Sequence, residues 1–279
     1  MINEIVKLVA PRRMEVFFQE ENIDEDTVIV RPLYLSICAA DQRYYTGSRD
    51  KEIMEKKLPM ALIHEAVGEV LYDQKNEFKQ GDKVVLIPNI PLEKNNIIKE
   101  NYLRTSKFRS SSYDGFLQNI VCMKRDRIIK IKDIALNIAS VLEPISICIN
   151  AIEEFKNTAN KNRKTIGIWG CGTIGYIMTL LLKKYMPESK IIIFGTNEEK
   201  LNYFAFADEA MLINKIPKDL KVDHAFECVG GKNSEDAINQ IIKHINPQGT
   251  ISILGVSEEP ILIETRMVLE KGLKIVGNS

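Results

Sequence analysis

The histidine in the segment LIHEAVGEV, residues 62–70, is one of three in the chain and is followed directly by a glutamate. No second histidine follows at helical spacing, so the pair is not the HExxH motif of zinc proteases. If His64 binds a metal, its partners must come from distant parts of the sequence. Cys38, after an apolar segment, and Glu143, inside VLEPISI, are candidates, although Cys38 alone is equally compatible with a small core residue. One cysteine, one histidine and one glutamate would leave a fourth position open, as in catalytic zinc sites.

A second recognisable spacing is found in GIWGCGTIGY, where Gly170, Gly172 and Gly175 form GxGxxG. The motif follows a segment typical of a buried strand and begins a long apolar-periodic helix, which is the context that dinucleotide binding requires. Gly170 would allow the tight turn, Gly172 the approach of a pyrophosphate to the helix N-terminus, and Gly175 the packing of helix on strand. The alternative is a glycine cluster that serves helix packing alone.

The end of the next predicted strand, in FGTNEEK, indicates which dinucleotide is bound. NAD sites usually place an acidic residue there to bind the ribose 2′-hydroxyl, whereas this chain has Gly195, then Thr196, Asn197 and Lys200. A carboxylate would repel a 2′-phosphate, so the lack of one here, next to hydrogen-bond donors and a lysine, favours NADP. The two glutamates that follow Asn197 weaken this preference unless their side chains face solvent. The predicted cofactor-binding residues are Gly170, Gly172, Thr173, Ile174, Gly175, Gly195, Thr196, Asn197, Lys200, Cys228, Val229 and Gly230.

Two halves of different character must position these residues. The first has short segments rich in β-branched residues, separated by turn signals such as KQGD and YDGF. It predicts a barrel-like or sandwich β domain with strands at 27–37, 66–72, 82–88 and 116–123. From about residue 149, strand-like and helix-like segments alternate, which predicts a parallel sheet covered on both faces. We therefore expect a two-domain α/β protein, with a β-rich catalytic domain over residues 1–148 and a Rossmann, doubly wound domain over residues 149–279.

The composition argues against several classes of function. The 279 residues include 38 Lys plus Arg and 38 Asp plus Glu, so no net charge favours nucleic acid or an anionic membrane. The apolar segment IGYIMTLLL is too short to cross a bilayer, and the N-terminus lacks the features of a signal peptide. The five cysteines are scattered without a CxxC pair, which predicts a reducing, cytoplasmic location rather than a disulfide scaffold.

The order of the motifs resembles that of the zinc-dependent medium-chain alcohol and polyol dehydrogenases. Cys-x-x-Asp after a strand, His-Glu-x-x-Gly, Asp-Gly-Phe, Glu-Pro before a helix and GxGxxG follow one another over essentially the whole chain. Within that group the segments VRPLYLSICAADQRYYTGSR, LPMALIHEAVGEV, FRSSSYDGF, VDHAFECVGG and VLEKGL are most similar to the ribulose-5-phosphate reductase family of teichoic-acid and capsule synthesis. The resemblance implies a GroES-like catalytic domain before the Rossmann domain.

The resemblance also implies a role for each matching residue. Cys38 and His64 would bind zinc, and Glu65 would lie close enough to exchange onto the metal. Glu143 stands where polyol dehydrogenases place a glutamate near the zinc. Asp41 would orient the ligands without binding the metal itself. We expect one zinc per chain, because the four-cysteine lobe that binds a structural zinc in some relatives has no counterpart here.

One departure from the family concerns the proton. Many relatives carry Ser or Thr two residues after the ligand cysteine to relay it, and Ala40 occupies that place. Water on the zinc or Glu65 would then replace the relay.

The reaction implied is NADPH-dependent reduction of the C2 carbonyl of D-ribulose 5-phosphate to D-ribitol 5-phosphate. Arg43, Arg49 and Arg109 lie in the segments most like the family and are the predicted phosphate-binding residues, although each is equally compatible with a solvated surface. The expected partners are a ribitol-5-phosphate cytidylyltransferase and a second copy of the chain, joined through the Rossmann domain. The alternatives are another NADP-linked polyol or alcohol dehydrogenase, a zinc-free quinone-reductase-like protein, and a truncated non-catalytic subunit that binds the cytidylyltransferase.

The last segment, LKIVGNS, predicts the final strand of the Rossmann domain. Members of the family continue beyond this point and return to the catalytic domain, so we expect that return segment to be missing here. On this interpretation the chain would retain cofactor binding better than turnover.

Overall fold

The chain divides into two compact units, Met1–Glu143 and Pro144–Ser279, in a computed structural model that describes residues 1–279. The division lies inside a helix that spans Leu142–Thr158, and the boundary predicted between residues 148 and 149 falls within the same helix. No helix is both long enough and apolar enough to cross a membrane.

The first unit consists mainly of short strands. These are β1 (Ile2–Ala10), β2 (Arg13–Glu20), β3 (Thr27–Ser36), β4 (Met60–Ala61), β5 (Glu65–Asp73), β6 (Lys83–Leu86), β7 (Asn89–Ile90), β8 (Lys107–Phe108), β9 (Val121–Lys124) and β10 (Ile128–Lys130). The helices are α1 (Ala39–Thr46), α2 (Lys51–Lys57), α3 (Leu136–Ala139) and the start of α4 (Leu142–Thr158).

An antiparallel five-stranded sheet, in the order β10-β6-β5-β3-β9, forms the centre of this unit. Its core includes Val28 and Val30 on β3 and Ala66 and Val70 on β5, all shielded from solvent. Residues two apart share a face of a strand, so the β-branched segments predicted as strands pack one face inward. A second sheet, β2-β1-β4, contains an N-terminal hairpin that the sequence analysis did not predict.

The predicted strand over residues 116–123 is only half correct. The strand is β9, from Val121, while the residues before it run beside the segment that precedes His64. Phe116 N donates to Ile63 O at 2.7 Å, and Leu117 N donates to Leu62 O at 3.2 Å. These bonds satisfy the backbone without extending the sheet, which is why an apolar pattern suited to a strand does not form one here.

The second unit alternates strands and helices. Its strands are β11 (Thr165–Trp169), β12 (Lys190–Gly195), β13 (Glu209–Leu212), β14 (His224–Glu227), β15 (Thr250–Ile253) and β16 (Lys274–Gly277). Its helices are α5 (Thr173–Tyr185), α6 (Glu198–Leu201), α7 (Ser234–His244) and α8 (Thr265–Lys271), together with most of α4.

The six strands form one parallel sheet in the order β13-β12-β11-β14-β15-β16, which is the doubly wound order of a Rossmann fold. Ile166 and Ile168 face a core that contains residues of α4 and α5, while Trp169 faces a core that contains residues of α7. The predicted α/β fold class is therefore confirmed. One strand was not predicted: β12 is followed by the short helix α6, a 3-10 turn and then β13.

Candidate metal centre and nucleotide site

Three of the four predicted metal ligands come together in the first unit. One possible ligand atom from each of Cys38, His64 and Glu65 lies within 4.8 Å of the other two. Cys38 follows β3 as the N-cap of α1, and Glu65 begins β5. Because β3 and β5 pair antiparallel with Ser36 opposite Glu65, the end of one strand meets the start of the other. The sheet register thus brings these distant residues together.

Asp41 connects the two segments that carry these ligands. It is 2% exposed, and its Oδ2 accepts from Cys38 N at 3.0 Å while Oδ1 accepts from Ile63 N and Ser110 Oγ, both at 2.9 Å. The same Oδ1 lies 3.9 Å from Nδ1 of His64. Asp41 therefore has the contacts of a residue that positions Cys38 and His64.

The raised pKa values of Cys38 and Glu143 indicate that the cluster would favour a bound cation. The pKa of the Cys38 thiol is raised to about 11, chiefly by burial and also by the carboxylates of Glu65, Asp41 and Glu143, while one backbone N–H lowers it. The pKa of the Glu143 carboxyl is raised to about 8, chiefly by burial and also by the negative charges of Glu65 and Asp41. The charges acting on both groups are negative, so a bound cation would relieve the cost of ionising them.

The donor atoms fit zinc, which accepts thiolate sulfur, imidazole nitrogen and carboxylate oxygen and commonly has three protein ligands in catalytic sites. Cys38, His64 and Glu65 supply one of each. Glu143, in the first turn of α4, is near enough to influence the pKa of Cys38, and its role as a ligand stays a prediction.

The Asp-Gly turn fixes the backbone that leads to His64. A Cβ atom on Gly115 would lie 2.2 Å from Leu62 O and 2.3 Å from Ile63 O, which is too close for any side chain. The next residue, Phe116, donates to Ile63 O and is fully buried. The turn therefore supports the metal centre through direct backbone contact.

We expect Gly115→Ala to displace the Leu62–Ile63 backbone and with it the imidazole of His64. The affinity for zinc should fall about tenfold or more, as for other losses of support behind a ligand, and the free energy of unfolding by about 1–3 kcal/mol from overpacking. Elemental analysis after dialysis and urea unfolding would measure both effects. Gly277→Ala is the control, because a Cβ there meets nothing within 4 Å. Zinc retention equal to that of the control would contradict the assignment.

The three arginines predicted to bind phosphate differ in their surroundings. Arg109 is mostly buried, and its guanidinium donates to the backbone oxygens of Asp114 at 3.1 Å and Cys122 at 3.0 Å. Burial lowers the pKa of Arg109. These contacts give Arg109 a structural role and do not support phosphate binding there. Arg49 lies over an aromatic ring, Arg43 is half-buried on α1, and their role stays a prediction.

In the second unit, a cavity of about 370 Å³ lies at the carboxyl ends of β11, β12 and β14. Such ends carry the ligand sites of doubly wound folds. Eight predicted cofactor residues line it: Gly170, Gly172, Gly195, Thr196, Asn197, Lys200, Cys228 and Val229. Thr173 lines a neighbouring cavity of about 400 Å³, and Ile174, Gly175 and Gly230 line neither.

The glycine-rich loop has the geometry expected of a pyrophosphate site. Gly170 has a φ of 118°, a value that favours glycine, and a Cβ on Gly175 would lie 1.8 Å from Gly170 O. A Cβ on Gly172, the N-cap of α5, would meet nothing within 4 Å. The space beside Gly172 is therefore open at the helix N-terminus, where backbone N–H groups favour an anion.

Glu227 organises the other side of this cavity and was not predicted. It is fully buried, and its carboxylate accepts from Val229 N and Gly230 N at 2.9 Å and from Gly255 N at 3.1 Å. An acidic residue within the apolar segment VDHAFECVG was the only signal in the sequence. Glu227 thus holds the backbone of Gly230, which does not line the cavity and whose role in cofactor binding stays a prediction.

Gly195 is constrained by packing as well as by the cofactor. A Cβ there would lie 2.6 Å from Sγ and 2.8 Å from Cβ of Cys171, and 3.1 Å from Cδ2 of Leu201. Cys171 was not among the predicted site residues, yet it leaves no room for a side chain at the position where NAD sites carry a carboxylate.

Comparison with known proteins supports a relationship over the whole chain. Residues 24–133 match the family model of the alcohol dehydrogenase GroES-like domain. The chain is 54% identical, over 280 residues, to ribulose-5-phosphate reductase of Bacillus spizizenii and to ribulose-5-phosphate reductase 1 of Staphylococcus aureus, with 100% of this chain and 82% of each relative covered. The crystal structure of S. aureus TarJ in complex with NADPH is 48% identical with a TM-score of 0.85, covering 100% of this chain and 81% of that one.

Proposed function

This chain belongs to the ribulose-5-phosphate reductase family of alcohol-dehydrogenase-type enzymes, and from that premise we propose that it reduces D-ribulose 5-phosphate to D-ribitol 5-phosphate with NADPH. The observation that carries the proposal is the cluster of Cys38, His64 and Glu65 within the domain that matches the family model. The product would serve teichoic-acid synthesis.

Zinc would be held by Cys38, His64 and Glu65, with Glu143 as the further candidate. The chemistry that zinc supplies in such a site is Lewis-acid polarisation of a carbonyl oxygen. The residues around the ligands position them: Asp41 holds the backbone of both segments, and the ring of Phe108 contacts the imidazole of His64 at 5.3 Å between centroids. The route of the proton stays the prediction made from the sequence, namely Glu65 or water.

NADPH would bind along the cavity of the second unit and supply the hydride. The open space at Gly172 and the N-terminus of α5 suit the pyrophosphate. Asn197 and Lys200, both exposed beyond β12, would face the 2′-phosphate, where the lack of a carboxylate at Gly195 avoids repulsion.

The assay that tests this function is NADPH oxidation with ribulose 5-phosphate and with unphosphorylated ribulose, before and after zinc removal by a chelator. We expect turnover that prefers the phosphorylated ketose, is lost with the metal and returns with added zinc. Equal activity on both ketoses would favour another NADP-linked polyol dehydrogenase, and activity independent of zinc would contradict the metal assignment.

We further propose a homodimer formed through the Rossmann unit. β16 lies at the edge of the six-stranded sheet and pairs on one side only, with β15. An edge strand presents backbone groups that a second copy can pair with about a two-fold axis. Light scattering should then give the mass of two chains, and a single-chain mass at high protein concentration would exclude the dimer.

Two other assignments follow from the proposed reaction. A cytidylyltransferase that consumes ribitol 5-phosphate is the proposed partner, and failure to co-elute with it would count against this. A cytoplasmic location agrees with five cysteines that are all free thiols, and fractionation of cells would test it.

A further inference from the structure

A group of cationic and hydroxyl side chains in the first unit lies outside the ligand cluster, and only Arg49 among them was predicted from the sequence to bind the substrate. Nζ of Lys57 donates to the hydroxyl of Tyr44 at 3.0 Å and to Oγ of Ser111 at 2.9 Å. The guanidinium of Arg49 lies 4.5 Å from the centroid of the Tyr44 ring. We refer to Lys57, Arg49, Tyr44 and Ser111 as the Lys57 cluster.

The charge of Lys57 is balanced by no acid in this arrangement. Both oxygens that accept from its ammonium are neutral hydroxyls, and the side chain is half-buried. The preceding residue, Lys56, is exposed and lies 3.9 Å from the carboxylate of Glu52. An ammonium group has three donors, so Lys57 keeps one donor and a positive charge for an anion.

The Lys57 cluster adjoins the residues that position the metal ligands. Ser111 follows Ser110, whose hydroxyl donates to Asp41 at 2.9 Å. Tyr44 lies one turn after Asp41 on α1, so the two side chains share a helix face. The same segment that carries both serines begins at Phe108, which contacts His64. The segment that contacts Lys57 through Ser111 therefore also contacts Asp41 and His64.

We propose that the Lys57 cluster binds the phosphate group of the sugar-phosphate substrate, a proposal that rests on the proposed function. Lys57 and the hydroxyl of Ser111 donate to phosphate oxygens. Three carbon–carbon bonds separate the C2 carbonyl of ribulose 5-phosphate from the carbon that bears the phosphate. The proposal therefore requires the Lys57 cluster and the metal ligands to bind the two ends of one substrate of this length. This assignment replaces Arg109 as a phosphate ligand.

The decisive variant is Lys57→Met, which keeps the aliphatic stem and removes the charge. We expect KM for ribulose 5-phosphate to rise about 10- to 100-fold, the range for a lost hydrogen bond to a charged group. Activity on unphosphorylated ribulose and the affinity for NADPH should stay unchanged, while inhibition by inorganic phosphate should weaken by a similar factor. Lys57→Arg should retain most of the affinity, and Lys56→Met is the control without effect.

Several outcomes would overturn the proposal. An equal loss on both ketoses would make Lys57 a structural residue, and unchanged inhibition by inorganic phosphate would exclude anion binding. If Lys57→Met does not fold, Ser111→Ala serves the same comparison and should raise KM for ribulose 5-phosphate alone. If the wild type shows no preference for the phosphorylated ketose, the proposed function fails. The anion site can then still be tested by the thermal stabilisation that inorganic phosphate gives. Stabilisation of the wild type but not of Lys57→Met would support the site, and equal stabilisation of both would exclude it.

Discussion

Replacing Cys38 with serine is expected to remove both bound zinc and turnover. Cys38 supplies the only sulfur of the ligand cluster, and zinc binds thiolate more strongly than a neutral hydroxyl. The loss of kcat/KM should be at least about 100-fold, since Lewis-acid polarisation contributes several kcal/mol and each 1.36 kcal/mol is tenfold in rate. Zinc per chain by elemental analysis and NADPH oxidation would measure the two effects.

This substitution separates loss of metal from loss of fold. Cys38 is the N-cap of α1, where its sulfur accepts from Ala40 N at 3.5 Å, and serine is among the residues best suited to that position. Cys122→Ser is the matched control, because Cys122 is a half-buried cysteine of the same unit outside the ligand cluster. Zinc and turnover retained in Cys38→Ser, or lost equally in the control, would show that the cluster is not the metal site.

Gly195→Asp alone is expected to weaken binding of both NADPH and NADH, instead of exchanging one for the other. The sequence alone suggests a change of preference, because a carboxylate would accept from the ribose 2′-hydroxyl of NADH and repel a 2′-phosphate. The structure adds a steric term, since the new Cβ would lie 2.6 Å from Sγ of Cys171. We expect a loss of about 1–3 kcal/mol in unfolding free energy from this overpacking.

Removing the obstructing side chain should reveal the electrostatic effect. In Cys171→Gly/Gly195→Asp both close atoms of Cys171 are gone, and the preference should move toward NADH by about tenfold or more, as for a gained charge-assisted hydrogen bond. Cys171→Ala/Gly195→Asp keeps the Cβ that would lie 2.8 Å away and should recover less. Fluorescence titration with each nucleotide needs no sugar substrate. If Gly195→Asp already binds NADH well and is as stable as the wild type, Cys171 does not control the position.

The fold could be predicted from local patterns in the sequence, namely apolar periodicity, turn residues and GxGxxG. Alternating strands and helices and GxGxxG after a strand predict a parallel, doubly wound sheet, and the structure contains one. Strand β13 and the β1–β2 hairpin were missed although each pairs with a neighbouring strand in sequence, because neither β2 nor β13 contains a fully buried residue and their apolar pattern is weak. The segment that begins at Phe116 was predicted as one strand, but only its end forms one, in β9. An apolar pattern does not reveal with which part of the backbone a segment forms hydrogen bonds.

The sequence by itself determined the kinds of chemistry available: a sulfur, an imidazole and carboxylates for a metal, and a glycine loop followed by a strand that ends in Gly195 instead of an acid, for a phosphorylated dinucleotide. Only the tertiary structure decided which side chains meet. The register of β3 and β5 brings Cys38 to Glu65, while Arg109 is engaged by two backbone carbonyls and Lys57 is left facing neutral oxygens. The physical reason is that residue type and periodicity act along the chain, whereas the partners of a charge or a Cβ are set by elements far apart in sequence.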